Sequence, residues 1–416
     1  MIIDLDHNAT TRPEPAVLAA LADAAERLYH NPSSVHRAGQ DARHAIELAR
    51  AAVARLIGAD RSLSGPRSAP KSIVFTASGT EAIHLAIRGV LDTLPPNRRH
   101  LLTNPVEHAA IRELATHLAE SAAAAVTTLP VDGQGLIDLD ALQRALTSTP
   151  PGILTLQWCN NETGAIQPIT QAFALARQHG WITHCDGTQW VGKLPTRVHP
   201  DPQAEALAAA HHEASPHCPA DLLTFAPHKF HGPKGVGVLY LRPGTPLRPL
   251  MPGTQENARR AGTENTPAIV AAGVAADLAD RWLADPAPRT AQAALRDELE
   301  QQLLARFPSQ HAHPARILGP ASPQQRIWNT TSIAFTALEA EAILLALSER
   351  GLYASAGAAC SSGSLEPSPV LLAMGIPAPV AHGAIRLSLG RHTTADDITA
   401  AIDLITQVVE RVAGPT

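Results

Sequence analysis

The sequence predicts an α/β fold, a sheet covered on both faces by helices, joined to a smaller α+β unit. Three observations point there. Between residues 73 and 241 short apolar runs alternate with helical stretches. Polar clusters sit where the apolar runs end, the edge at which open α/β sheets bind ligands. After about residue 280 the alternation gives way to a mixed pattern.

Taken in order, residues 14–29 and 37–57 are alanine-rich with helical apolar spacing. Residues 61–72, rich in Ser, Pro and Arg, read as a loop. Ile73–Thr76 reads as a strand, followed by Ala-Ser-Gly-Thr-Glu and a helix near 80–91. Leu101–Thr103 is strand-like, with a helix after Glu107. Ile153–Trp158 ends in Cys-Asn-Asn-Glu-Thr-Gly, and a helix near 170–179 leads to Trp181–Cys185, which stops at Asp186. Asp221–Phe225 and Val236–Leu241 are further strands, and 198–220 reads as an inserted loop. The last third shows a helix near 289–306, a strand at 332–335, a helix at 338–350, a loop at 354–368, a strand at 384–389 and a helix at 394–413.

Composition narrows the function. The 416 residues are 45% hydrophobic and 17% charged, so the chain is globular. A net charge of −5 argues against a nucleic-acid partner. No apolar run is long enough to span a membrane, and the opening Met-Ile-Ile-Asp-Leu-Asp-His has no secretory pattern, so a cytoplasmic location is expected. Cysteines 159, 185, 218 and 360 form no C-x-x-C pair and read as free thiols. His211, His212, His217 and Cys218 fit no standard ligand spacing, and no metal is expected.

Lysine is scarce: only Lys71, Lys193, Lys229 and Lys234 stand against 29 arginines. Two of the four lie in His-Lys-Phe-His-Gly-Pro-Lys-Gly (228–235). A lysine can lose its proton and act as an amine nucleophile, which arginine cannot. Gly79 and Thr80, after a strand and opening a helix, suit an anion cradle as well as an ordinary turn. Asp186 suits a helix N-cap or a carboxylate holding a cationic ring nitrogen. Cys360 lies in a run of small polar residues that cannot pack, which suits a reactive thiol on a mobile loop. Arg386, on an apolar strand, needs an anion, either an internal carboxylate or a substrate's. The lysine, the strand-end aspartate and the Gly-Thr cradle together suggest pyridoxal 5′-phosphate (PLP).

The motifs Asp-His-Asn-Ala-Thr-Thr (6–11), Asn-Pro-Ser-Ser-Val-His (31–36), Phe-Thr-Ala-Ser-Gly-Thr-Glu (75–81), Val-Glu-His (106–108), Asn-Asn-Glu-Thr-Gly (160–164) and Asp-Gly-Thr-Gln (186–189) stand in one order with four more. These are His-Lys-Phe-His-Gly-Pro-Lys-Gly (228–235), Arg-Arg-Ala-Gly-Thr-Glu-Asn (259–265), Ala-Cys-Ser-Ser-Gly-Ser-Leu-Glu-Pro (359–367) and Ile-Arg-Leu-Ser-Leu-Gly-Arg (385–391). From about residue 4 to about 411 the chain resembles cysteine desulfurases of the NifS/IscS type, fold-type-I PLP enzymes of the class-V aminotransferase family.

The resemblance implies a large domain over 16–280 with a mainly parallel seven-stranded sheet, and a small domain of 1–15 and 281–416 carrying the Cys360 loop. It implies that Lys229 holds the cofactor and moves the substrate Cα proton. His108 would stack on the ring and Asp186 pair with its nitrogen. Gln189 and Asn161 would meet the ring hydroxyl. Gly79, Thr80 and His228 would hold the phosphate, and Thr263 would reach the phosphate of a homodimer partner. Arg386, with Asn8 and Asn161, would bind the carboxylate of L-cysteine. Cys360 would take the sulfur as a persulfide, releasing alanine, and pass it to an iron–sulfur scaffold or a thiolation protein.

Two departures bear on the phosphate. Ala226 stands where the family usually has serine, removing a hydrogen bond of about 1 kcal/mol, and Ser78 stands where glycine is usual. They motivate a non-catalytic assembly paralogue as one alternative. A selenocysteine lyase would share the chemistry with another substrate. A PLP β-lyase or aminotransferase would leave Cys360 without a role.

Overall fold

A computed structural model describes residues 2–59, 70–211, 213–356 and 366–414. Its strands are β1 (Ile3–Asp4), β2 (Ile73–Thr76), β3 (His100–Thr103), β4 (Ala125–Thr128), β5 (Ile153–Gln157), β6 (Ile182–Asp186), β7 (Leu222–Phe225), β8 (Gly237–Leu241), β9 (Ala315–Leu318), β10 (Thr330–Phe335), β11 (Leu352–Tyr353), β12 (Ser355–Ala356) and β13 (Ala384–Ser388). Strands β2 to β8 form one seven-stranded sheet in the order β2-β8-β7-β6-β5-β3-β4. Only β8 runs against its neighbours β2 and β7, so six strands point the same way.

Continuous burial explains why these strands read as apolar runs rather than alternating ones. Ile73 and Phe75 face one core and Val74 the other. Leu154 and Leu156 face the first, Ile153 the second. Helices Gly79–Leu91 and Ala109–Glu120 cover the second face. Helices Arg37–Leu56, Ile169–Gln178 and Thr266–Leu283 contribute to the first.

Strands β12, β13, β10 and β9 form a four-stranded antiparallel sheet, packed by helix Ala287–Arg306. Helix Ala395–Ala413 packs in turn on Ala287–Arg306 and Ala340–Glu349. The N-terminal strand β1 pairs in parallel with β11.

Three expectations need correction. The segment 198–220 is not simply a loop: Pro202–Ala210 is a helix, started by the Asp201 side chain accepting from Ala204 N–H at 3.2 Å and by proline in its first turn. The loop at 354–368 begins with β12, which pairs with β13. Of the loop at 61–72, Pro70–Ser72 forms a short 3-10 turn. Residues 60–69, His212 and Cys360 lie outside the described residues.

A buried ion pair ties the first helical layer to the sheet. Arg50 meets Glu256 with two bonds of 2.7 and 2.8 Å, both side chains almost fully buried. Arg50 also donates to Ile73 O at 2.9 Å, and Glu256 accepts from Phe75 N–H at 2.8 Å. Removing one partner strands the other's charge in the interior. Arg50→Ala should therefore cost about 3–5 kcal/mol. Arg50→Met with Glu256→Leu should cost clearly less. Denaturant midpoints of the native chain and both variants check this order.

Candidate active site

Six parallel strands send their C-terminal ends to one edge, and the polar clusters follow those ends. Gln157, Asp186 and Thr224 lie side by side in register on β5, β6 and β7. The turns beyond them, with those after β2 and β3, line one cavity of about 600 Å³ counting its open mouth. Among its walls are Gly79, Thr80, His108, Asn161, Asp186, Gln189, His228 and Lys229. Eight residues proposed from separate motifs thus share one space.

Each is placed by local chemistry. Ser78 caps helix Gly79–Leu91, its hydroxyl accepting from Glu81 N–H at 3.1 Å while Glu81 accepts from Ala77 N–H at 2.7 Å. That gives the serine a role where a glycine was usual, and leaves the N–H groups of Gly79 and Thr80 without an intrahelical acceptor. A Cβ on Gly79 would meet the Ala226 methyl in ordinary contact at 3.4 Å, so the two turns pack closely here.

Asp186 is buried, and its Oδ1 accepts from Thr188 N–H at 3.0 Å. Behind it Trp158 and Trp190 stack at 4.0 Å with planes 4° apart, joining the end of β5 to the 187–190 turn. The Asn160 side chain shapes the neighbouring turn, its Oδ1 accepting from Glu162 and Thr163 N–H at 2.8 and 2.9 Å. That turn presents Asn161 to the cavity.

His108 caps helix Ala109–Glu120: its Nδ1 accepts from Ala110 N–H at 3.1 Å, which assigns the proton of the neutral ring to Nε2. Burial lowers its pKa, Asp186 opposing and Lys229 adding to the shift. Burial also pushes His228 down to about 4, with Lys229 and Lys234 contributing. The neighbouring Glu107 is fully buried and is pushed well above the usual carboxylate range. It accepts from Gln157 N–H at 2.9 Å and from the Asn104 amide at 2.5 Å.

Lys229 donates from Nζ to the carbonyls of Asn8 and Ala9 at 2.8 and 2.9 Å. The N-terminal segment is therefore the seat of the amine. Asn8 itself is committed to protein partners. Its Nδ2 donates to Asn161 O and Thr330 Oγ1, and its Oδ1 accepts from Lys193 and Asn329. An amide has two donors and two lone pairs, so no capacity is left for a substrate.

Arg386 donates to Asn161 O at 3.0 Å and pairs with Asp6 at 2.7 Å, while its buried Nε has no partner among the described residues. It is not among the residues that line the cavity, but Asn161, to which it donates, is. Thr263 is exposed on a loop outside the cavity. The buried thiols Cys159, Cys185 and Cys218 are free, and burial pushes Cys159 up to about 12.

The chain matches the aminotransferase class-V family over residues 3–400. It is 42% identical over 411 residues to "Cysteine desulfurase 2" of Trichormus variabilis, covering 99% of this chain and 94% of that one. It is 41% identical over 408 residues to a cysteine desulfurase of Cereibacter sphaeroides, covering 98% and 95%. Among solved structures it is similar to a NifS-like protein, with TM-score 0.83, 30% identity and coverage of 98% and 99%. A NifS-like protein of Rickettsia africae gives TM-score 0.80 at 26% identity, with the same coverage.

One residue escaped the sequence reading. Lys193 is fully buried, and its Nζ donates to Asn8 Oδ1 at 2.7 Å and to Gln189 Oε1 at 2.6 Å. Those two bonds orient both amides, so that Gln189 Nε2 donates to Asn8 O at 3.0 Å. The scarcity of lysine was the signal, and it applied to Lys193 as much as to Lys229. Burial lowers Lys193 to about 7. Because the unfolded chain keeps this proton up to about pH 10.4, native stability rises with pH between the two values. Relative to Lys193→Met, the native chain should gain on the order of 2 kcal/mol between pH 7 and pH 9. Urea midpoints at the two pH values check the sign.

Proposed function

The chain belongs to the aminotransferase class-V family, and from that premise we propose that it is a cysteine desulfurase, taking sulfur from L-cysteine and releasing L-alanine. The observation that carries the reading is the convergence of Lys229, Asp186, His108 and the start of helix Gly79–Leu91 on one cavity, in a chain similar to cysteine desulfurases over nearly its whole length.

The family implies PLP, and the cavity suits it. A helix start whose first N–H groups, those of Gly79 and Thr80, border the cavity supports an anion. A buried carboxylate supports a protonated ring nitrogen, and an amine seated on two carbonyls supports attachment at Lys229. Gly79, Thr80 and His228 would hold the phosphate, Asp186 the ring nitrogen, and Gln189 and Asn161 the ring hydroxyl, with His108 against the ring face. Bound there, the cofactor supplies a carbonyl for amines and a ring that accepts electrons.

The chain's own residues do the rest. Lys229 Nζ, once released from attachment, takes the substrate Cα proton. The neutral His108 ring, with its proton on Nε2, is set to pass a proton at the cavity wall. Arg386 binds the substrate carboxylate, using its unpartnered Nε and the guanidinium edge beside Asn161. Asn8 acts through Lys193 and Gln189 rather than by touching substrate.

Cys360, outside the described residues, is the proposed nucleophile. Its thiolate attacks the substrate sulfur; an S–S bond forms as the Cβ–S bond breaks with its electron pair kept by the carbon skeleton, Cβ takes a proton, and Lys229 returns the proton it took from Cα, giving alanine. The persulfide then passes to an acceptor protein, an iron–sulfur scaffold or a thiolation protein. The exposed Thr263 loop supports a homodimer in which this residue reaches the partner's cofactor. We propose a large unit over 16–280, which supplies every residue lining the cavity, and a small unit of 1–15 with 281–416, whose Asn8 and Ala9 carbonyls seat Lys229. A cytoplasmic location is part of the same reading, and there Cys159, Cys185 and Cys218 would remain thiols.

Incubation of the holoenzyme with L-cysteine and dithiothreitol tests the reading. Equal amounts of alanine and sulfide are expected from the native chain. Cys360→Ala should lose more than about 100-fold of this activity while keeping its visible cofactor band. Full activity in Cys360→Ala would move the reading to a β-lyase. A chain that binds no PLP would move it to an assembly protein.

A further inference from the structure

Three side chains far apart in sequence meet beside the Lys229 loop. Glu14, His231 and His392 each bring one ligand atom within 4.8 Å of the others. Glu14 stands just before helix Pro15–Arg27, His231 lies two residues after Lys229, and His392 lies in the turn between β13 and helix Ala395–Ala413. No sequence spacing could reveal this set, and the sequence reading expected no metal.

We infer that Glu14, His231 and His392 form a binding site for one divalent transition-metal ion of the zinc class.

Two of the three ligands are already built in. Glu14 N–H donates to His231 O at 3.1 Å, locking the two backbones together. His231 holds a left-handed φ of 67°, costly for a side-chain-bearing residue, and its N–H donates to Thr11 Oγ1 at 2.6 Å. Its Nδ1 faces the Arg12 carbonyl at 2.9 Å and must carry the proton, which leaves the lone pair at Nε2. A metal-binding histidine is oriented in this way, one ring nitrogen tied to a carbonyl and the other left for the ion. Burial pushes His231 down to about 4, so the ring is neutral.

The third ligand is adjustable. His392 is mostly exposed, and its Nε2 lies 2.9 Å from Glu14 Oε1. Bonds of about 2.1 Å in a tetrahedral site put ligand atoms about 3.4 Å apart. Drawing ligand atoms in from 4.8 Å to that spacing takes up to about 1.4 Å, which rotations of the exposed imidazole and of the Glu14 carboxylate supply. Two imidazoles and one carboxylate leave the fourth position to water, a donor set that suits zinc. The adjacent Arg391 donates to Gly192 O at 2.8 Å with its guanidinium over the Trp282 ring, so it offers no ligand atom and adds positive charge near Glu14 and His231. The ion would clasp the turn after β13 to the loop that carries Lys229.

The test uses the holoenzyme stripped with a chelator and dialysed. Zinc is titrated, and cobalt(II) serves as the spectroscopic probe. The native chain should bind one zinc ion more than the His231→Gln/His392→Ala double variant, and cobalt should give visible bands of a low-coordinate site. His392→Ala alone, which alters only an exposed side chain, should weaken zinc binding at least about tenfold. It should also abolish the zinc-dependent rise in thermal midpoint. Equal zinc uptake by native and double variant, or no cobalt bands, would overturn the proposal and leave a Glu14–His392 hydrogen bond only. Sulfide release plays no part in the readout, so failure here is separable from failure of the desulfurase reading.

Discussion

The active site depends on one strap of chain, residues 3–14, hydrogen-bonded on both sides. At its start β1 pairs with β11, and Asp6 bridges to Ser388 and pairs with Arg386. At its end Thr11 N–H donates to His228 O at 2.9 Å and Glu14 N–H to His231 O at 3.1 Å. Between these anchors the carbonyls of Asn8 and Ala9 seat Lys229. The strap therefore fixes the Lys229 amine relative to both the seven-stranded sheet and the four-stranded one. Without it, Lys229 would be a long side chain with several rotamers to choose from.

Charge is arranged around that seat with little water. Asp186, Glu107, Lys193 and Arg386 are all buried. A charge in such surroundings needs partners or gives up its ionisation. Glu107 and Lys193 are shifted toward their neutral forms by burial, whereas Arg386 keeps Asp6 beside it. The site thus holds donors and acceptors in fixed directions rather than as a cluster of mobile ions. Orientation of this kind is what group-transfer chemistry requires.

Much of this was legible in the sequence. Strands buried on both faces leave continuous apolar runs, so the ends of β2, β5, β6 and β7 could be read closely, and with them the turns that carry Gly79, Asn161, Asp186 and Lys229. What could not be read had no local cause. Strand β4 is a half-exposed edge of Ala, Val and Thr, and helix Thr266–Leu283 buries mostly alanines against two other helices. The reversal of β8 is a property of pairing, not of composition. Lys193 looks like any lysine until Asn8, 185 residues away, closes over it. Asn8 was expected to meet the substrate, whereas in the structure its amide hydrogen bonds go to protein groups.

The central claim is that Lys229, and no other lysine, carries the cofactor. Borohydride reduction of the holoenzyme, digestion and peptide mass mapping tests it most directly. The account predicts one reduced pyridoxyl group per chain, on the peptide containing Lys229. A pyridoxyl group on Lys193 or Lys234 instead, or none on any lysine, would contradict it.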